Sequence, residues 1–363
     1  MKSRSTRPPT ESPRKGRGAT FNLQGRYERW GREDSDDGWP QEDQRPALPT
    51  TIIPHEAKSI LTYNRSPDIP FDRSINPYQG CEHGCPYCYS RPTHAYWDMS
   101  PGLDFETRII AKTNAAELLR RELSAPSYRP DVISIGASTD PYQPAERELN
   151  ITRRVVEVLA DCEHPFTVIT KNALIERDID LLAPMAEKNL VRAFVSVTNL
   201  DNQLARRIEP RATAPLRRIE AIERLAAAGI PVGVMVAPVI PFLTDSFMEE
   251  VLERARAAGA VMAGYVLLRL PNEVAPLFRD WLAQHYPHKA QHVMSLVQQM
   301  RGGKDYQSGF GMRQRGQGNF AALTERRFRL ACQRLGFNAE LPPMDVARFR
   351  PPRPAADHQL DLL

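Results

Sequence analysis

The sequence predicts an α/β protein: a partial (β/α)6, TIM-like barrel with a disordered N-terminal arm and a helical C-terminal extension. Three observations carry that prediction. Short β-rich runs recur roughly every thirty residues, which is the rhythm of strands alternating with helices. Helix signals fill the intervals between them. A tight triplet of cysteines follows the first run, at the strand end where parallel α/β folds carry their chemistry. The 363 residues suffice for one large domain with appendages.

The first strand lies in the extended stretch 72–79, which turns at Gly80. Five further β-rich runs follow at 132–136, 166–170, 193–197, 231–236 and 264–268. Between them, Asn114 with Glu117 three residues on reads as a capping box ahead of Leu118 and Leu119. Pro215 suits a helix's first turn, Leu216, Ile219, Ile222 and Leu225 form one stripe, and Gly229 ends it. Phe247, Val251, Leu252 and Ala255 repeat the pattern, stopped by Gly259. The expected division is an arm over 1–45, a core over 46–275 and a helical extension with a Gly/Arg-rich loop and flexible tail over 276–363.

Composition narrows the class. Hydrophobic content of 41% and charged content of 25% are those of an ordinary globular protein. No run approaches the ~18 apolar residues of a membrane span, and the basic N-terminus has no apolar core of a secretory signal. Five cysteines, three of them clustered, do not resemble a disulfide framework, so a reducing cytoplasm is the expected location. The net charge of +4 names no partner. Residues 1–30 hold eight Lys/Arg against two acids, and 33–43 hold six acids and no base. An arm so poor in aliphatics cannot bury enough surface to offset its ordering entropy.

The triplet is Cys81-Glu-His-Gly-Cys85-Pro-Tyr-Cys88, with spacing C-x3-C-x2-C. Such intervals bring three sulfurs together, and three thiolates need a cation. An iron–sulfur cube normally takes four cysteines. Cys162 and Cys332 lie far along the chain in segments with structural explanations of their own, so a [4Fe–4S] cube here keeps one iron without a protein ligand. An open position is what separates catalytic from structural metal sites. The competing reading is zinc, with His83 or His94 as fourth ligand. Polar residues collect at the same strand ends: 136–144, Lys171 and Asn172, Ser196 with Thr198 and Asn199, Glu209 and Arg211, 237–241, and 269–273.

With these residues in view, the chain resembles the radical S-adenosylmethionine (SAM) enzymes, through C-x3-C-x-aromatic-C after the first strand of a six-unit partial barrel. Within that family it resembles the branch containing spore photoproduct lyase, a DNA-repair enzyme. Ser-Thr-Asp at 138–140, Val-Ile-Thr-Lys at 168–171, Phe-Val-Ser-Val-Thr-Asn at 194–199, Ile-Glu-Pro at 208–210 and Val-Ala-Pro at 236–238 look like that branch's strand ends, in the same order. The resemblance implies that Cys81, Cys85 and Cys88 hold a [4Fe–4S] cluster whose fourth iron binds SAM. Reduction would then release a 5′-deoxyadenosyl radical that abstracts hydrogen from a substrate, with an electron donor of flavodoxin or ferredoxin type. It also implies that Tyr87 lies against the adenine, Lys171 and Ser196 meet the methionyl carboxylate, Thr139 and Asp140 occupy the turn at the amino group, and Ala237 packs on the nucleoside. Glu209 and Arg211 read as a surface ion pair. Ser138 stands where the lyase has a hydrogen-donating cysteine, which leaves Tyr142 as the candidate radical relay.

The segment 301–320 interleaves Lys304, Arg313 and Arg315 with Tyr306, Phe310 and Phe320. Basic groups with stacking rings suit a nucleic-acid strand, and a barrel-closing loop explains them equally. Two functions therefore stand: a radical SAM enzyme, with nucleic acid one candidate substrate, and a non-catalytic, zinc-stabilised α/β nucleic-acid-binding protein.

Overall fold

A computed structural model describes residues 13–27 and 48–352. Ten strands run in order: β1 Thr51–His55, β2 Leu61–Tyr63, β3 Arg73–Ile75, β4 Tyr78–Gln79, β5 Arg108–Lys112, β6 Ile133–Ile135, β7 Phe166–Thr170, β8 Val191–Ser196, β9 Val232–Val239 and β10 Met262–Leu267. The main sheet has the order β10-β9-β8-β7-β6-β3-β2. β3 and β6 to β10 are parallel throughout, and β2 pairs antiparallel with β3 at one edge. These six parallel strands are the six expected from the sequence, in sequential order. β1, β5 and β4 form a separate small sheet that the sequence did not announce.

Burial explains the sheet. β3 and β6 are buried along their whole length, as strands covered on both faces must be. Ile133, Ile135, Val168, Ala193, Val195, Val232 and Val234 share one continuous core. Gly233 has a packing reason, since a Cβ there would lie 2.4 Å from the Phe194 ring on neighbouring β8. The two sheet edges are brought together by the Gly/Arg-rich loop: Arg313 Nε meets Asp68 Oδ2 at 2.8 Å, and Asp68 lies in the β2–β3 connection. Six inter-strand steps of about 4.8 Å would hold those edges far apart in a flat sheet. The sheet therefore curls, and the loop spans the opening of an unclosed barrel.

Helices Pro215–Ala227 and Met248–Ala257 appear where the stripes place them. Two local expectations change. Asn114 does not cap its own helix Ala115–Leu123; its side chain bonds both backbone groups of Ala57 at 3.0 Å, tying the helix to the chain after β1. Of the expected stripe, Leu216 is exposed while Ile222 and Leu225 are buried, with Ala221 completing the buried face. Beyond β10 the chain forms helices Val274–His285, Pro287–Met300, Met312–Arg315 and Gly318–Leu335. Cys162 and Cys332 are buried free thiols, as their positions suggested.

The largest correction concerns the arm. Residues 13–27, expected to be disordered, pack on the barrel. Ala19 and Phe21 join Leu103 and Leu277 in a small apolar cluster. Thr20 Oγ1 donates to Asp280 at 2.7 Å, and Asn22 bonds Asp104 through both amide and carbonyl at 3.0 Å. Composition missed this because a few well-placed apolar groups and backbone hydrogen bonds suffice when the partner surface is preformed. The rest of the 1–45 arm, and the tail beyond 352, lie outside the described residues.

Candidate active site

The cysteine loop leaves the C-terminal end of β3 and is fixed by backbone bonds. Cys81 N donates to Phe105 O at 2.9 Å and Cys88 N to Cys85 O at 3.2 Å. Gly84 makes the turn at φ 69°. Gly18 of the arm lies against it so closely that a Cβ on Gly18 would fall 1.7 Å from Gly84 O. Thr139 Oγ1 holds the Gly80 carbonyl at 2.7 Å, and the Gln143 side chain accepts from Glu82 N at 2.9 Å. The turn after β6 therefore anchors the start of the cysteine loop.

All three cysteines are free thiols, Cys81 and Cys85 buried and Cys88 half-buried. Burial, with Asp140 and the other two sulfurs nearby, raises the Cys81 thiol well above its ordinary range. Burial, with Glu209 nearby, pushes Cys85 up to about 12 although Lys171 opposes it. Cys81 and Cys85 become thiolates only against added positive charge, which is what a bound metal centre supplies. Among the described residues no three His, Cys, Asp or Glu side chains converge as ready ligands for one ion. The three irons of a cube take one sulfur each, and this loop carries three free thiols. The donor set fits the cube.

His83 is not free to act as a fourth ligand without rearrangement, whereas neither ring nitrogen of His94 has a hydrogen-bond partner among the described residues. His83 Nδ1 sits 3.3 Å from Asp140 Oδ2, and its Nε2 lies 3.5 Å from Asn172 Nδ2. His94 is buried edge-on against Phe105, and burial lowers it to about 4, so it is neutral there.

A lattice of buried ion pairs supports the loop from behind. Glu106 accepts from the Gly18 and Ala19 amides at 2.9 and 2.8 Å and pairs with fully buried Arg91, whose Nε holds the Cys85 carbonyl at 2.9 Å. Glu82 pairs with Arg211 at 3.0 Å. Glu209 pairs with Arg218 at 2.6 Å and accepts the Tyr87 hydroxyl. Burial opposes ionisation of Glu209, but Arg218, Lys171 and Tyr87 together hold it below its usual value. Glu209 and Arg211 are thus not a surface ion pair: Glu209 is buried, and each has a different partner.

The remaining expected residues lie on or after successive parallel strands. Lys171 follows β7 with Nζ 6.0 Å from the Tyr87 ring centre, and its amide donates to Asp140 at 2.7 Å. Burial would raise Asp140, yet His83, Thr170 and the Lys171 amide bring it down to about 2. Ser196 ends β8, buried, and its carbonyl accepts from Arg218 at 3.0 Å. Ala237 lies within β9. Ser138 is exposed at the turn after β6. Tyr142 does not face the cysteine loop: its hydroxyl donates to Asp178 at 3.1 Å, inside a buried network with Glu146, Arg177 and Arg153. Sequence reasoning missed Tyr89, half exposed beside Cys88, whose hydroxyl donates to the Ala137 carbonyl. Its adjacency to Cys88 was the available signal. Arg91, Glu106 and Arg218 left none, because their value depends on partners distant in sequence.

The chain belongs to the radical SAM superfamily, whose family model matches residues 75–255. An uncharacterized protein of Mycobacterium tuberculosis is 37% identical over 247 residues, covering 67% of this chain and 73% of that one. An uncharacterized protein of Methanocaldococcus jannaschii is 24% identical over 243 residues, covering 67% and 86%. In fold the chain is similar to spore photoproduct lyase complexed with dinucleoside spore photoproduct, at a TM-score of 0.57 with 16% identity over 79% of this chain and 80% of that one. A lyase variant with bound AdoMet and the same dinucleoside gives 0.55 with 15% identity over 81% and 86%. The chain is accordingly a radical SAM enzyme of lyase-like architecture.

Proposed function

We propose that Cys81, Cys85 and Cys88 hold a [4Fe–4S] cluster whose fourth iron takes SAM, and that the enzyme abstracts hydrogen from a nucleic-acid substrate. One observation carries the cluster assignment: three free thiols share one loop at the end of the first parallel strand, with His83 held against Asp140. When bound, the cluster supplies the electron that splits SAM and yields a 5′-deoxyadenosyl radical. The chain's own task is to bind, orient and exclude water.

Lys171 carries the positive charge for the methionyl carboxylate, and the end of β8 at Ser196 offers polar groups beside it. Tyr87, its hydroxyl tied to Glu209, presents a fixed ring for the adenine. Thr139 and Asp140 hold the turn that meets the amino group; their side chains are committed to Gly80, Thr170 and Lys171, so backbone carbonyls make that contact. Ala237 contributes backbone to the nucleoside. The electron comes from a flavodoxin- or ferredoxin-type donor. Nucleic acid as substrate is supported by the exposed Phe310 ring and the exposed Lys304 and Arg315 of the 301–320 loop, although Tyr306 and Phe320 are half-buried and Arg313 is committed to Asp68.

Anaerobic purification followed by iron and sulfide analysis tests the reading. The expected outcome is brown protein that forms 5′-deoxyadenosine from SAM under reductant, with colour and cleavage both lost in Cys85→Ala. Colourless protein with one zinc per chain would support the binding-protein alternative and overturn this one.

A further inference from the structure

Across the mouth from the cysteine loop, the chain after β10 carries two arginines without a carboxylate among the described residues. Arg301 is 1% exposed, and its guanidinium donates only to carbonyls: Met312 at 2.7 Å, Leu267 at 3.2 Å and Leu268 at 2.7 Å. Its Nε has no hydrogen-bond partner, nor does the buried Nε of Arg269 or Oε1 of Gln307. Arg269 stacks its guanidinium 5.1 Å from the centre of the Tyr89 ring and reaches only the Tyr306 hydroxyl, at 3.5 Å. Neither acid on this stretch reaches them: Glu273 lies 2.9 Å from Arg26 Nε without a well-formed hydrogen bond, and Asp305 pairs with Arg279 at 2.6 Å. Burial first and Arg269 second bring Arg301 down to about 10, as expected for two neighbouring cations that lack an anion.

Two adjacent guanidinium groups are costly to hold together unless a ligand neutralises them, and the planar fork of arginine matches phosphate geometry. The ring beside them, Tyr89, is 48% exposed and offers a stacking face. We infer that Arg269, backed by Arg301 and flanked by Tyr89, is the binding subsite for a phosphoryl group of a nucleoside-phosphate substrate. Arg269 makes the contact; Arg301 is a positioning residue that adds to the local field. The inference rests on the reading of this mouth as the substrate face, but phosphate binding does not require radical chemistry.

The test is equilibrium binding of thymidine, thymidine 5′-monophosphate and a single-stranded decathymidylate to the full-length chain, before and after cluster reconstitution. Thymine ligands keep clear of a site for the adenine of SAM. The phosphorylated ligands should bind, thymidine should not, and Arg269→Gln should weaken both by tenfold or more. Arg254→Gln, which removes an exposed cation paired with Glu250, should change nothing. Decathymidylate binding far more tightly than the mononucleotide would identify a strand backbone as the phosphate source; equal affinities would identify a free nucleotide. Arg269→Lys guards against a folding defect, since it keeps the charge and should retain part of the affinity. Equal binding by wild type and Arg269→Gln, or no binding of either phosphorylated ligand, would overturn the inference. Failure to reconstitute a cluster while these affinities hold would sink the radical reading alone.

Discussion

Behind the cysteine loop, three arginines face carboxylates: Arg91 faces Glu106, Arg218 faces Glu209 and Arg211 faces Glu82. Across the same mouth, Arg269 and Arg301 face none among the described residues. The two sides spend charge differently. Paired, hydrogen-bonded ions in a buried lattice fix geometry, because moving either partner strands the other. Arg301 is buried and ties the Met312, Leu267 and Leu268 carbonyls together, whereas Arg269 beside the exposed Tyr89 ring is the group left to meet the proposed ligand. The first side is a scaffold for the loop and the second is the proposed receptor.

Substitution separates the two most sharply. Arg218→Met leaves Glu209 buried without its strongest partner, and breaking such a pair costs about 3–5 kcal/mol. Urea denaturation should show that loss, together with loosened Tyr87. A cost below ~1 kcal/mol would mean that the lattice is not the scaffold described.

A second contrast lies between the paired ions of the lattice and two buried histidines, His94 near the cysteine loop and His164 at the opposite end of the barrel, where burial is met by neutrality instead of pairing. His164, two residues before β7, accepts from the Tyr128 hydroxyl at 2.7 Å through Nε2, which leaves Nδ1–H to donate to the Pro165 carbonyl at 3.0 Å. Burial lowers it to about 4. Between about pH 6.5 and pH 4 the unfolded chain therefore binds a proton that the folded chain refuses. Stability from this group falls as pH falls through that window, at about 1.4 kcal/mol per pH unit. His164→Gln should flatten the slope measured by denaturation from pH 7 to 4; an unchanged slope would remove His164 as its cause.

The packed part of the arm belongs to the scaffold side. In Gly18→Val the new side chain would collide with the Gly84 carbonyl, so residues 13–27 must lift. Losing the burial of Ala19 and Phe21 should cost about 2 kcal/mol, and limited proteolysis should newly cleave the arm. Protection as in wild type would show that the contact is tolerant. The smallest effect is expected on the receptor side: Arg269→Gln should shift stability by no more than ~0.5 kcal/mol, since it relieves repulsion with Arg301 while losing a stacking contact. A large loss would make Arg269 structural.

What the sequence revealed follows the reach of each signal. Strand periodicity and the cysteine spacing are local, so the six parallel strands and the loop after the first were legible. So were Lys171 and Ser196, because strand ends are where such folds carry polar groups. β1, β2 and β5 were missed because little pattern announces them, and the extended stretch 72–79, read as one strand, divides into β3 and β4 in different sheets. Glu209 was visible as a polar residue, but its pairing with Arg218 was not, since nothing near it in sequence reports burial. Tyr142 misled because a tyrosine in the right turn can point either way, and its hydroxyl reaches Asp178. The arm misled because composition cannot show that Gly18 fits against Gly84.

The central claim is an iron that the polypeptide leaves open. Mössbauer spectra of the 57Fe-reconstituted chain, recorded anaerobically with and without SAM, test it most directly. One iron in four should change its isomer shift and quadrupole splitting when SAM is added, and the other three should not. Four irons that remain unchanged by SAM would contradict the account.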